Sequence, residues 1–277
     1  MILDGKKVAS ELTLNIAKEI KNEGFDITLA LILVGDNPAS QIYVRNKNKA
    51  CESANIKVKN YVLDSSISEV ELINIIKECN SDKKINGILV QMPLPKHIDS
   101  NKIINTIDPN KDVDGLTSVN QGKLMEGLPT IASATPKGII TLLKRYNIEI
   151  KGKHVVIVGR SILVGKPLIH LFLQNDATVT ICHSKTNDLA SITKQADILV
   201  CAIGKAKFFS GDMVKKGAVI VDVGINRTEE GIVGDVDFNE VERIASFITP
   251  VPKGVGPMTI ASLLENILDC YKMQKNL

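Results

Sequence analysis

No Cys-x-x-Cys pair occurs anywhere in this chain of 277 residues. The five cysteines, Cys51, Cys79, Cys182, Cys201 and Cys270, are odd in number and widely scattered, which argues against both a disulfide framework and a zinc ribbon. The four histidines are scattered too, without metal-ligand spacing, so no metal is expected. There is no Lys/Arg block, and the net charge of +3 is too small to suggest a nucleic-acid partner. No apolar run approaches transmembrane length and no signal-peptide core opens the chain, so the expectation is a cytoplasmic protein that does not enter a membrane. Low-complexity segments and short internal repeats are also missing.

What is present is an ordered alternation of elements. Apolar residues make up 44%, enough for full cores in one large or two ordinary domains. Val8, Leu12, Ile16 and Ile20 recur at helical spacing over residues 6–22. Residues 28–34 are a near-continuous apolar run, as in a strand covered on both faces. Gly35-Asp36-Asn37-Pro38 ends it, with Asn37 suited to an N-cap and Pro38 to the first position of a helix reaching about residue 54. A strand over 58–63, a helix over about 68–80 and a strand over 87–91 follow. That order implies a parallel sheet with right-handed crossovers, and ligands bind such sheets beyond the carboxyl ends of the strands. Ser40, Tyr43 and Lys47, spaced i, i+3, i+7, share the face of the helix leaving the first strand, and Gln91 stands at the carboxyl end of the third. Met92-Pro93-Leu94-Pro95 and the polar loop 108–116, with Asp108, Asp112 and Asp114, can wall a pocket there. Residues 117–136 read as a linker ending in Thr135-Pro136-Lys137-Gly138.

The second half centres on His154-Val155-Val156-Ile157-Val158-Gly159-Arg160-Ser161-Ile162-Leu163-Val164-Gly165-Lys166-Pro167. It reads as strand, tight turn and helix. The turn is not G-x-G-x-x-G: Gly159 and Gly165 lie six apart. It still offers free backbone N–H groups at a helix N-terminus, where a dinucleotide pyrophosphate is the usual occupant. The next strand, 178–182, runs into His183-Ser184-Lys185 without the carboxylate that binds a ribose 2′-hydroxyl in NAD sites. Arg160, Ser184 and Lys185 can instead surround a 2′-phosphate, so NADP is the expected cofactor; His183 reads as a turn residue. A helix over 187–195 and strands over 197–203, 218–223 and 246–249 complete this half. After 250–257 comes a last helix whose stripe of Ile260, Leu263, Leu264, Ile267, Leu268 and Tyr271 is expected to return to the first lobe. The expected fold is a two-lobed α/β protein with a cleft between the lobes.

Eight blocks, in order, carry a resemblance: Tyr43-Val44-Arg45-Asn46-Lys47, Val90-Gln91-Met92-Pro93-Leu94-Pro95, Lys111-Asp112-Val113-Asp114-Gly115-Leu116, Thr135-Pro136-Lys137-Gly138, Gly159-Arg160-Ser161, Cys182-His183-Ser184, Asp222-Val223-Gly224-Ile225-Asn226, and residues 250–259. Together they resemble the bifunctional methylenetetrahydrofolate dehydrogenase/cyclohydrolase family over almost the whole chain. The resemblance implies an N-terminal three-layer α/β catalytic domain of residues 1–136 plus 257–277 that binds folate, and a Rossmann-like NADP domain of residues 137–256. It implies two consecutive reactions: 5,10-methylenetetrahydrofolate gives a hydride to NADP⁺, and water opens the resulting methenyl ring to 10-formyltetrahydrofolate. It also implies a homodimer joined through the cofactor domain. The substrate would be held by Ser40, Tyr43, Lys47, Val90, Gln91, Met92 and Asp114, with Pro252, Gly256 and Pro257. The cofactor would lie on Gly159, Arg160, Ser161, Gly165 and Ser184, with Ile225 on the nicotinamide side. Two departures show: the family usually has Gly where Lys253 stands, and Pro-Cys where this chain has Ser133-Ala134.

Hydride transfer needs mainly alignment of donor and acceptor. Hydrolysis also needs a proton taken from water and one delivered for ring opening, and Lys47 is the candidate for that work. The methenyl cation beside it promotes release of the lysine's proton. Gln91 can hold the lysine, Tyr43 can stack on the folate rings, and Asp114 can accept the pterin's N–H donors. A short-chain dehydrogenase using Tyr43-x-x-x-Lys47 fails on order, because there the cofactor turn precedes the Tyr/Lys pair. A shikimate-type dehydrogenase shares the two-lobe plan but leaves Gln91 and the Asp114 loop together without a role. A non-catalytic NADP sensor would make the Lys47 pocket incidental.

Overall fold

The computed structural model describes residues 1–229 and 231–277. The chain forms two bodies, one of residues 10–134 with 260–277, the other of residues 1–9 with 135–259.

In the first body, helix α1 (Gly5–Glu23) leads to strand β1 (Thr28–Val34), helix α2 (Pro38–Ser53), strand β2 (Lys57–Leu63), helix α3 (Glu69–Ser81) and strand β3 (Gly87–Val90). The strands are parallel in the order β2-β1-β3. Central β1 is buried along nearly its whole length, whereas edge strand β2 alternates exposed and half-buried residues. Successive residues of β1 feed opposite faces. Leu29, Leu31 and Leu33 pack with Ile16, Ile20, Leu264 and Ile267, while Ala30, Ile32 and Val34 pack with Leu72, Ile76 and Ile103. This gives the expected three layers. The helix starts are fixed locally. The Asn37 side chain accepts the N–H groups of Ala39 and Ser40 at 3.0 and 3.1 Å, and Ser68 and Glu71 form a capping box on α3.

The linker expected over 117–136 is a correction. After helix α4 (Ser100–Ile104), residues Ser118–Glu126 form helix α5, and helix α6 (Ala134–Arg145) begins before the Thr-Pro-Lys-Gly block. Thr117 caps α5 by accepting the Asn120 N–H at 3.3 Å, and Gly127 ends it at φ +73°. Its apolar face is too short to show as a period: only Asn120 and Leu124 are buried. Pro136 is accommodated because the first turn of a helix needs no N–H there.

The second body continues with strand β4 (His154–Val158), helix α7 (Gly165–Leu173), strand β5 (Thr178–Cys182), helix α8 (Leu189–Thr193), strand β6 (Ile198–Cys201) and strand β7 (Val219–Asp222). A small antiparallel pair, β8 (Asn226–Thr228) and β9 (Gly231–Val233), precedes helix α9 (Phe238–Val241) and strand β10 (Phe247–Ile248). The sheet is wholly parallel, in the order β10-β7-β6-β4-β5. Helix α10 (Val255–Lys275) follows, and its Leu263, Leu264, Ile267 and Leu268 enter the core of the first body, as its apolar stripe predicted. In both sheets the first strand adds its successor on one side and a later strand on the other: β1 lies between β2 and β3, and β4 between β5 and β6. Such a reversal opens a crevice at the carboxyl ends of the strands.

Candidate active site

The first crevice lies beyond the carboxyl ends of β1 and β3. The Lys47 ammonium, from α2, donates to Oε1 of Gln91 at 3.1 Å. Gln91 is fixed at both ends: its backbone N–H donates to the Ile32 carbonyl at 2.8 Å, and its side-chain amide donates to the Met92 carbonyl at 2.7 Å. The orientation of the glutamine oxygen toward Lys47 is therefore determined. Tyr43, one turn before Lys47, is half exposed, so its ring is available to a planar ligand. Ser40 is buried at the start of α2. Val90 is buried and packs with Ile32 and Leu72; Met92 is half-buried. One turn after Lys47, the Cys51 thiol is pushed up to about 12 by burial, with Lys47 opposing, which leaves it inert as a nucleophile.

Asp114 faces the same charge. Burial raises its carboxyl above the usual range, the neighbouring Lys47 opposes that shift, and Asp112 adds to it. With Val90, Met92, Asp112 and Leu116, Asp114 borders a small pocket. The loop carrying it is clamped from several sides. The buried Lys111 ammonium donates to the carbonyls of Cys79, Asn80 and Asp82 at 3.0, 2.7 and 2.9 Å, satisfying the C-terminus of α3. Burial lowers the Lys111 pKa, which makes those three bonds a requirement. Asp112 accepts the Thr117 N–H at 2.8 Å and the Asn120 amide at 3.0 Å. The Asn266 amide of α10 donates to the Val113 and Ala132 carbonyls at 2.9 and 2.8 Å. Gly115 has φ +64°, and a Cβ there would lie 2.6 Å from the Ile131 oxygen. The Lys-Asp-Val-Asp-Gly block thus divides into buried anchors and one half-buried group, Asp114. Sequence reasoning named Asp114 but missed Lys111, Asp112 and Asn266 as its supports, because a buried charge looks like a surface charge until its partners are placed.

The second crevice lies between the ends of β4 and β6. Gly159 has φ +131°, and a Cβ on it would stand 2.2 Å from the Ala202 oxygen; one on Gly165 would stand 1.9 Å from the Gly159 oxygen. Both glycines are therefore required for the turn to close on the sheet. Val164, the N-cap of α7, makes no side-chain cap, while the Ser161 hydroxyl accepts the Val164 N–H at 3.2 Å. Arg160, Ser161, Ser184 and Lys185 are exposed around this turn. His183 serves the next turn: its N–H donates to Thr186 Oγ1 at 2.9 Å, and its Nδ1 accepts from the Lys185 N–H at 3.1 Å. Residues 183–187 carry no carboxylate. A helix start without a side-chain cap, clearance made by glycine and exposed cations fit a dinucleotide phosphate. Ile225, beyond β7, is 54% exposed. Pro252, Gly256 and Pro257 lie in this body too, Pro252 exposed in the turn before α10 and the other two half-buried in its first residues.

The family model described as the tetrahydrofolate dehydrogenase/cyclohydrolase catalytic domain matches residues 3–114, and the one described as that family's NAD(P)-binding domain matches residues 133–275. A bifunctional protein FolD from Campylobacter hominis is 51% identical over 98% of this chain and 97% of its own length. The solved FolD methylenetetrahydrofolate dehydrogenase/cyclohydrolase from Campylobacter jejuni is similar with a TM-score of 0.97 and 47% identity, covering 99% of both chains. A Trypanosoma brucei FolD, solved with NADP cofactor and an inhibitor, gives a TM-score of 0.93 at 34% identity over 100% of this chain and 99% of that one. Shikimate dehydrogenase from Aquifex aeolicus, at 13% identity and a TM-score of 0.55, shares the fold alone. With two family models matched in order and about half of all residues shared with relatives of equal length, the chain belongs to the tetrahydrofolate dehydrogenase/cyclohydrolase family.

Proposed function

We propose that this protein oxidises 5,10-methylenetetrahydrofolate to 5,10-methenyltetrahydrofolate with NADP⁺ and hydrolyses that product to 10-formyltetrahydrofolate. The observation that carries the reading is the Lys47–Gln91 hydrogen bond at a sheet switch point, with Asp114 within electrostatic reach, inside the segment matched by the family's catalytic domain. Residues 1–136 with 257–277 serve the folate and residues 137–256 the cofactor. Bound NADP⁺ supplies the hydride acceptor; Arg160 and Ser184 would hold its 2′-phosphate, and the Gly159–Gly165 turn its pyrophosphate.

Tyr43 offers a face for the folate rings, and Asp114 accepts hydrogen bonds from the pterin. Water adds to the methenyl carbon, the bond from that carbon to N5 breaks, N5 gains a proton and the water loses two in all, one of them to N5 and one to solvent. Lys47 is the group that moves those protons. Gln91 keeps its nitrogen on the reacting side by offering an acceptor that cannot itself ionise. The protein works in the cytoplasm as a homodimer. In support, all five cysteines are free and buried, as suits a reducing compartment, no helix among the described residues is long and apolar enough to cross a membrane, and Ile162, Leu163 and Leu173 expose apolar surface on the cofactor body.

The test is Lys47→Met, which keeps the length of the side chain and removes its proton chemistry. Cyclohydrolase activity is expected to fall at least about 100-fold, within the range for a positioned acid/base group. Dehydrogenase activity should survive in part, with the methenyl product accumulating and visible by its absorbance. Equal loss of both activities in a folded variant would make Lys47 a substrate-positioning residue, and full hydrolysis would remove it from the mechanism.

A further inference from the structure

The loops that follow β6 and β7 are joined by a fully buried carboxylate, Asp235. Its Oδ2 accepts the N–H groups of Ile203 and Gly204 at 2.7 and 2.9 Å. Its Oδ1 accepts the N–H of Lys205 at 2.8 Å and the side-chain amide of Asn226 at 2.9 Å. Three successive backbone donors converging on one carboxylate are the reverse of a phosphate nest: here the protein supplies the anion as well. The joint is closely fitted. A Cβ on Gly224 would lie 2.2 Å from Asp235 Oδ1, and one on Gly234 would lie 1.8 Å from Asp222 Oδ2. Asp222 completes it from below, accepting the N–H groups of Gly224, Asp235 and Val236, each at 2.9 Å.

The place of this joint matters more than its strength. Residues 203–205 directly follow Ala202, whose carbonyl is the wall against which Gly159 closes. Asn226 adjoins the exposed Ile225. Both segments that Asp235 ties down therefore rim the crevice at the carboxyl ends of β4, β6 and β7. Backbone N–H groups pinned to an internal carboxylate cannot turn outward, so the shape of the rim is set before any ligand arrives.

We propose that Asp235 is a positioning residue for the dinucleotide: it holds the 203–205 and 225–226 segments in the arrangement that receives NADP⁺, without touching the cofactor. This rests on the reading of the second crevice as the NADP⁺ site. Asp235→Asn keeps the shape but turns one acceptor into a donor that faces N–H groups. Asn226→Ala cuts only the tie to the β7 turn. For Asp235→Asn we expect the KM for NADP⁺ to rise at least about 10-fold. Cyclohydrolase activity, assayed on the methenyl substrate without NADP⁺, should stay within about twofold. Asn226→Ala should show the same split at about threefold or more in KM. A purely architectural role would lower the amount of active protein, and so kcat, while leaving the NADP⁺ KM unchanged. An unchanged KM in folded Asp235→Asn overturns the proposal. If that variant does not fold, an unchanged KM in Asn226→Ala overturns it instead. Direct titration of wild-type protein with NADP⁺, followed by fluorescence, separates the two levels: no binding by wild type defeats the cofactor reading itself, whereas tight binding by wild type and variants alike defeats only the role of Asp235.

Discussion

Asp222 makes a quantitative prediction. Burial raises its carboxyl from 3.8 to about 6; three backbone hydrogen bonds oppose that rise, and the charge of Asp235 adds to it. The thiol of Cys201, raised by the same burial, sits beside both carboxylates and carries no charge to relieve them. In the unfolded chain an aspartate titrates near its ordinary value. Between the two values the native protein holds the extra proton, so stability falls as pH rises through that window, and the loss is complete above about pH 6. At about 1.4 kcal/mol per pH unit the whole effect is about 3 kcal/mol, of which about 2 kcal/mol falls between pH 4.5 and 7. Asp222→Asn removes the titration. It also turns an amide donor toward a backbone N–H, so the variant is less stable than wild type at every pH. The measurement is the difference in unfolding free energy between wild type and variant, by urea denaturation at several pH values, in which all other titrations cancel. That difference should shrink by about 2 kcal/mol from pH 4.5 to pH 7. A difference constant to within about 0.5 kcal/mol over the range would show that burial does not govern this carboxyl, as would a carboxyl-carbon NMR titration with a midpoint near 4.

Two further outcomes follow from exposed positions. Arg160→Ala should lower the preference for NADP⁺ over NAD⁺ by roughly 10- to 100-fold, the equivalent of one charge-assisted hydrogen bond set, with NAD⁺ use little changed; a wild type that already prefers NAD⁺ in steady-state kinetics would refute the assignment. Lys253 occupies φ +88°, a region that favours glycine, while its carbonyl accepts the Lys6 N–H at 2.9 Å. Lys253→Gly should relieve strain by about 1–3 kcal/mol and return about 0.4–1 kcal/mol to the flexibility of the unfolded chain, for a net gain near 1 kcal/mol; an unfolding midpoint that does not rise would count against strain at this residue.

The elements legible in the sequence are those whose burial is repetitive. Residues 28–34, buried along almost their entire length, read as a strand because no polar residue interrupts them. The stripe of α10 read as a helix because its contacts recur every third or fourth residue. Helix α5 did not, since two buried residues make no period, and what defines it is a cap at Thr117 and a left-handed stop at Gly127. Strands β8 and β9 escaped for the same reason, having three residues each.

The same contrast holds within the sites. Lys47 and Gln91 were accessible from sequence because each sits at a fixed offset from a strand end, and the topology then brings the two offsets together across the reversal between β1 and β3. Gly159 was accessible in the same way at the reversal between β4 and β6. Lys111, Asp222 and Asp235 were not, since each bonds mainly to backbone groups that its own loop does not supply. A charge that faces a ligand needs little around it, and its position can be counted along the element that carries it, as that of Lys47 can along α2. A charge that fixes a loop must be buried to exclude competing water, and burial requires that every donor or acceptor be met by protein. Its partners therefore come from several elements at once, as Ile203, Gly204, Lys205 and Asn226 do for Asp235. The groups that set a site's rigidity are for that reason the ones a linear reading misses, although they stand within a few residues of the ones it finds.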